Sequence, residues 1–270
     1  MSPVSIDEKW GYVDETGTQK VDALYTFAGP FIGGLAPVTD AEGNAFYIDT
    51  DGNKKHVVLG VENVKQLGLI ENGMFSLFDG EKWHFYNTDH EKVFGDYEDV
   101  SAIGNGVAAV KTAGQWQLVD RSGADLTGKT YTAVAMDEKR VVFRNERIFV
   151  SDGMGYRMIT SAGDVIGSSV YEDVRIFNDL TYAAVCINGK WGFVDKDGAV
   201  IIEPQYESAR SFANGLAGVK QGNLWGFVNI AGEMVIEPQF EDVRDFNSHG
   251  CVFTLRDGEW NLLRLYKMNY

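Results

Sequence analysis

The sequence predicts an all-β repeat protein of about seven antiparallel meander units, each of roughly 35 residues. Three observations predict it. The string Trp191-Gly192-Phe193-Val194 returns as Trp225-Gly226-Phe227-Val228 at an offset of 34 residues. With it return Glu203-Pro204-Gln205, Tyr206 and Phe212, as Glu237-Pro238-Gln239, Phe240 and Phe246. Polar and apolar residues alternate with period two on both sides of Gly222-Asn223, the pattern of strand, turn and strand. No window carries the 3.6-residue period of an amphipathic helix.

Taken in order, the units begin near Trp10, Phe46, Trp83, Trp116, Tyr156, Trp191 and Trp225, and a partial eighth begins at Trp260. Pro3–Asp7 is a short extended stretch that aligns poorly with the strand preceding each later tryptophan. In the second unit Phe46 takes the tryptophan slot (FYID), and Val61-Glu62-Asn63-Val64 leads to Leu67 by the same six-residue step that joins Tyr206 to Phe212. In the third, His84 and His90 stand where glycines are expected. The fourth drifts after Tyr131 and Val134 and is the longest. Within a unit the turn Asp-x-x-Gly (Asp14–Gly17, Asp120–Gly123, Asp195–Gly198) fits an aspartate capping backbone amides, with glycine supplying positive φ. The third strand ends at Pro204 or Pro238, which cannot donate to a ladder. Tyr206–Phe212 fits a short fourth strand or an irregular crossover. Repeats add length without adding a boundary, so 1–270 is expected to form one domain.

The string Lys190-Trp191-Gly192-Phe193-Val194-Asp195-x-x-Gly198, with Tyr206 downstream and the Phe-x-x-Gly-Leu-Ala that ends at Ala217, resembles the WG-repeat (KWG) family of bacterial proteins. That resemblance implies a non-enzymatic repeat module with a propeller-like architecture and no catalytic residues to transfer. Gln117 departs from the family's glycine, as His84 does. In a propeller the small-residue strand Leu216-Ala217-Gly218-Val219 is expected innermost with the tryptophan strand beside it. Cys251–Arg256 would complete the first unit and close seven blades. An open superhelical β-solenoid is the alternative.

Lys and Arg number 24 against 39 Asp and Glu, a formal charge of −15. Such a surface disfavours nucleic acid and anionic membranes as partners. No apolar run approaches the roughly 20 residues of a membrane span, and Met1–Trp10 lacks the layout of a signal peptide. A soluble cytoplasmic protein is expected, or an extracytoplasmic one if a leader was removed. Cys186 and Cys251 read as two buried thiols rather than a disulfide.

The tryptophans Trp10, Trp83, Trp116, Trp191, Trp225 and Trp260 read as the core between repeats, because successive units must bury a large recurring side chain. Asp49-Thr50-Asp51-Gly52-Asn53 has the first half of a calcium loop without its bidentate glutamate, so turn capping is the expectation. His84 and His90 have no convergent third ligand. The divergent fourth unit supplies the candidate partner-binding patch, Lys129, Lys139, Arg140, Arg144 and Arg147, a run of cations on an acidic chain. The expected function is a non-enzymatic scaffold that binds another macromolecule, a protein first. Carbohydrate or cell-envelope binding through Tyr47, Tyr86 and Tyr97 comes second, and hydrolysis last. No cofactor is implied, and the oligomeric state stays open.

Overall fold

The protein is described by a computed structural model covering residues 1–55, 64–137, 139–178, 182–246 and 250–264. Among them there are eight antiparallel sheets and no helix. Their backbone contacts group into two compact units, Met1–Thr130 with Glu138–Val142, and Tyr131–Asp137 with Phe143–Tyr270. The first holds four sheets and the second holds the other four.

The seventh sheet displays the plan. Ser208–Ala209 lies at one edge, then Leu216–Gln221, Leu224–Asn229 and, at the other edge, Met234–Phe240. The small-residue strand is therefore second. Two residues of the Tyr206–Phe212 segment, too short to carry a period, take the edge expected for it. The stretch Ser2–Ile6 pairs in full register with Lys9–Val13, from Ser2↔Val13 to Ile6↔Lys9. Cys251–Arg256 pairs instead with Asp242–Val243 and Glu259–Arg264 as an eighth sheet. The count is thus eight rather than about seven, and the first sheet needs no strand from the last.

Hydrogen-bond register also corrects the second unit. Thr39 faces Ala45 and Val38 faces Phe46, whereas in the seventh sheet Lys220 faces Trp225 and Val219 faces Gly226. Ala45 therefore holds the tryptophan slot, and Phe46 holds the glycine slot. Of the stretch expected to follow, Val61, Glu62 and Asn63 lie outside the described residues.

The glycine after tryptophan has a steric cause. Opposite it the third strand bulges, since Trp191 pairs with Tyr206 while Phe193 pairs with Ile202. A Cβ on Gly192 would lie 2.5 Å from the Ile202 carbonyl oxygen, and one on Gly226 2.4 Å from that of Ile236. Where His84 replaces this glycine, Gly95 on the facing strand yields the space, for its own Cβ would meet His84 Cα at 2.9 Å. Gln117 needs no such compensation, because the fourth sheet meets its third segment only at the bridge Val119↔Asp125.

Each core cluster joins neighbouring sheets within a unit. Tyr12, Val21 and Tyr25 pack on Ala28, Ala36 and Ile48, and Trp191 and Phe193 pack on Ala217 and Val228. The ring two residues past the tryptophan is fully buried, as at Tyr12, Phe85, Phe193 and Phe227. Phe193 meets Phe212 at 4.8 Å and Phe227 meets Phe246 at 5.1 Å, which accounts for the six-residue step. Tyr12 donates from its hydroxyl to the buried Gly29 carbonyl (2.7 Å), and Tyr47 does the same to Gly68 (2.5 Å).

Candidate functional site

In the first unit the edge strands of the second, third and fourth sheets border a recess of about 130 Å³. Its wall is apolar: Phe27, Pro30, Pro37, Leu67, Leu69 and Trp83. Lys139 and Arg140 stand at its lip. Small residues keep it open. Gly29, Gly68 and Ser101 follow the two-residue strands in register, each donating its amide to the next strand, at Pro37, Ser76 and Ala109 respectively. A Cβ on Gly68 would fall 2.1 Å from Ser76 Oγ, and one on Gly29 would fall 2.8 Å from Pro37 Cγ. The recess presents few polar atoms because its polar groups are already paired. Ser101 Oγ donates to the Ala102 carbonyl and accepts from the Ala109 amide, both at 2.8 Å, and the tyrosines occupy the Gly29 and Gly68 carbonyls.

Arg140 is positioned by the fourth sheet. Its carbonyl accepts from the Ala102 amide at 2.8 Å, and Val141 is buried against Gly104. Its guanidinium donates through Nη2 to Asp99 Oδ1 (2.6 Å) and through Nε and Nη2 to the Val100 carbonyl (3.1 and 2.6 Å). Nη1 has no partner among the described residues. Its φ of 60° lies in the left-handed region, as at His90 and Glu146.

The other cations of the predicted patch fall elsewhere. Lys129 is exposed in the first unit, while Arg144 and Arg147 belong to the second. Arg144 pairs with Asp137 at 3.2 Å. Arg147 donates to the Lys196 carbonyl at 2.6 Å and lies 3.4 Å from Asp197, its side chain 11% exposed. Arg147 therefore ties a loop to the sixth sheet. Only Lys139 and Arg140 of the five line the recess.

Trp116, Trp191 and Trp225 are buried, and Trp10 and Trp83 are half-buried against core clusters. Trp260 departs from the expectation at 45% exposed, because among the described residues nothing pairs onto the outer edge of its strand. Cations lie over several of these rings: Lys111 over Trp116, Arg175 over Trp191, Arg210 over Trp225 and Arg244 over Trp260, at 4.8 to 5.7 Å. Tyr47, considered as a sugar platform, is 1% exposed, since its ring faces the core. Tyr86 stacks on Phe75 at 6.0 Å, and Tyr97 packs beside Phe94 at 6.2 Å.

The Asp-rich turns spend their oxygens on amides. Asp49 Oδ1 accepts from Asp51 and Asn53 (3.0 and 2.9 Å) while Lys55 reaches Oδ2 at 2.9 Å, which holds its carboxyl down at about 2. His84 is buried, with Nε2 on Asp79 (2.8 Å) and Nδ1 accepting from the Asp96 amide (3.3 Å). His90 sits at φ 68° in the turn, its amide donating to the Asn87 carbonyl at 3.1 Å. Among the described residues no group of three or more His, Cys, Asp or Glu is placed to hold a metal ion. Cys186 and Cys251 are buried, and no disulfide joins them.

Eight such sheets place the chain in the β-propeller class of all-β repeat proteins. It carries WG-containing repeats: the model of that repeat family matches residues 10–40, 191–225 and 225–260. Among solved structures it is similar to the computationally designed Ika8 protein, with TM-score 0.58, 8% identity, and 92% of this chain and 87% of that one covered. A eukaryotic initiation factor gives 0.59, 12%, 93% and 77%, and BamB from Moraxella catarrhalis 0.56, 10%, 98% and 96%. At such identities the likeness concerns the fold alone. No curated protein is a significant match to the sequence. No helix among the described residues is long and apolar enough to cross a membrane.

Proposed function

We propose that this chain is a non-enzymatic scaffold that binds another protein. The observation that carries this reading is the apolar recess with a basic lip in the first unit, on a chain whose formal charge is −15. Apolar walls and a few fixed polar groups are the usual make-up of a recognition pocket. A cationic lip on an otherwise acidic surface favours acidic partners and speeds their approach. The buried imidazole of His84 serves Asp79 and the Asp96 amide, and the Asp-rich turns cap backbone, so neither supports a catalytic reading.

The test is affinity capture from the source organism's lysate, with intact protein and an Arg140→Glu variant of unchanged thermal midpoint as baits. A recurrent protein partner retained by the wild type and lost by the variant is expected. Partners that bind both baits equally would remove Arg140 from the reading. Retention on carbohydrate columns with no protein captured would replace the reading by glycan binding.

A further inference from the structure

We propose that the recess takes a single aromatic side chain of a partner protein, laid on the face of Trp83, with a carboxylate next to it in the partner received by Arg140. This rests on the protein-binding reading above and names the chemistry of the partner.

The argument begins with repeat register. The third residue from the start of each short edge strand occupies one structural slot, fixed by its ladder bonds. In the sixth, seventh and eighth sheets that slot holds Arg175, Arg210 and Arg244, and each guanidinium lies over its sheet's tryptophan, at 4.8, 5.7 and 5.1 Å. The chain thereby sets its own cation over each of these rings. In the second, third and fourth sheets the same slot holds Gly29, Gly68 and Ser101. The third sheet's ring, Trp83, touches Phe78 at 5.3 Å and has no cation over it among the described residues. Trp83 lines the recess instead. Gly68 supplies no side chain to cover Trp83, and a Cβ there would displace the Ser76 hydroxyl, 2.1 Å away.

Size and charge then select the occupant. A recess of about 130 Å³ is close to the roughly 150 Å³ of an engineered apolar cavity that admits benzene, so it has room for one six-membered ring. A cation covers the tryptophan in the fourth, sixth, seventh and eighth sheets, whereas within apolar walls a charge would lose its hydration. An aromatic ring keeps the offset or edge-on contact that indole prefers, and apolar walls complete its burial. Arg140 is held by Asp99 and the Val100 carbonyl through Nε and Nη2, so its remaining nitrogen, Nη1, is the donor for an incoming carboxylate.

The test uses the full chain, with 15N-labelled tryptophan, titrated with N-acetyl-phenylalanine and, separately, with N-acetyl-phenylalaninamide. The expected result is a shift of the Trp83 indole N–H by the acid, with a dissociation constant on the order of millimolar for so few contacts, and binding of the amide weaker by about fivefold or more. Arg140→Gln should bring acid and amide to the same affinity, and Arg140→Lys should restore part of the preference. Gln66→Phe, at the half-buried edge of the recess, should abolish both titrations with the thermal midpoint held. Equal affinity for acid and amide in the wild type would overturn the proposal. So would an unmoved Trp83 resonance, or a response to cellobiose but not to the aromatic acid. Lysate partners captured equally by wild type and Gln66→Phe would refute the recess while leaving the scaffold reading standing. Absence of any captured protein would refute both.

Discussion

Gly192→Ala adds one methyl group at a place where the backbone cannot receive it. The new Cβ would lie 2.5 Å from the Ile202 oxygen, 2.7 Å from the Pro204 nitrogen and 2.9 Å from the Glu203 carbonyl carbon, all main-chain atoms of the bulged third strand. Side-chain rotation relieves none of these contacts, so the strand must move. Overpacking by a methyl group typically costs about 1–3 kcal/mol, and loss of the glycine's freedom in the unfolded chain returns about 0.4–1 kcal/mol. With three main-chain contacts under 3.0 Å the upper half of the first range applies, so a net loss of about 1–2.5 kcal/mol follows, or roughly 2–10 °C in thermal midpoint at about 2–4 °C per kcal/mol for a chain of this size. Urea and thermal unfolding followed by tryptophan fluorescence would measure it, with Lys196→Ala as the exposed control. Gln117→Ala, in the sheet without a full third strand, should behave like the control. A Gly192→Ala midpoint equal to that of Lys196→Ala would refute the bulge as the reason for the glycine.

The tryptophans should separate by burial: Trp191→Ala should cost about 3–5 kcal/mol in unfolding free energy, whereas Trp260→Ala, at a site 45% exposed, should cost markedly less. Tyr12→Phe leaves the buried Gly29 carbonyl without its donor and should cost about 1–3 kcal/mol in the same assay, while removal of the exposed Thr18 hydroxyl should be near neutral. Acid should destabilise the fold. Hydrogen bonds, from the Thr16 hydroxyl first at Asp14 and from the Gly114 amide first at Glu98, hold these carboxyls below their ordinary values, and the Lys55 contact holds Asp49 at about 2. A carboxylate depressed in the folded state stabilises above its unfolded value, near 4, and loses that contribution as pH falls through the folded one. The thermal midpoint should therefore hold between about pH 5 and 8 and fall between about pH 4 and 2. A midpoint flat down to pH 2 would contradict the turn-capping role.

Those turns were legible in the sequence because Asp-x-x-Gly states its own chemistry: a short acceptor, then a residue at positive φ. So were the strands flanking Gly222-Asn223, where period two and a tight turn coincide. The slot of Phe46 was not, because two adjacent residues of similar fit, Ala45 and Phe46, are separated only by hydrogen-bond register, which the sequence does not display. The edge strands Phe27–Ala28, Ser208–Ala209 and Asp242–Val243 contain two residues each, less than one period of alternation. The eighth sheet was hidden for the same reason, with Ser2–Ile6 diverged from its equivalents and Asp242–Val243 too short to see. The emphasis on tryptophan also missed the deeper ring two residues later, although Tyr12, Phe85, Phe193 and Phe227 recur just as regularly. Lys139 and Arg140 were visible as cations. The walls they border come from three other sheets, and a linear reading does not assemble those.

One signal for the recess was nevertheless present. Aligned on the edge strands, the chain reads Gly29, Gly68, Ser101, Ala135, Arg175, Arg210 and Arg244, a drift from small residues to arginine within one repeat position. A strictly structural slot would hold one residue type, because each sheet would set it the same task. The arginines meet that task locally by covering Trp191, Trp225 and Trp260 and by pairing with nearby acids, as Arg175 does with Asp173 at 3.2 Å. Glycine at the same slot forgoes that contact and adds backbone freedom that folding must remove, at a cost of roughly 0.5–1 kcal/mol relative to alanine. The small residues thus exchange local stability for open space beside Trp83, and it is in that space, rather than at any strongly repeated residue, that recognition is proposed to reside.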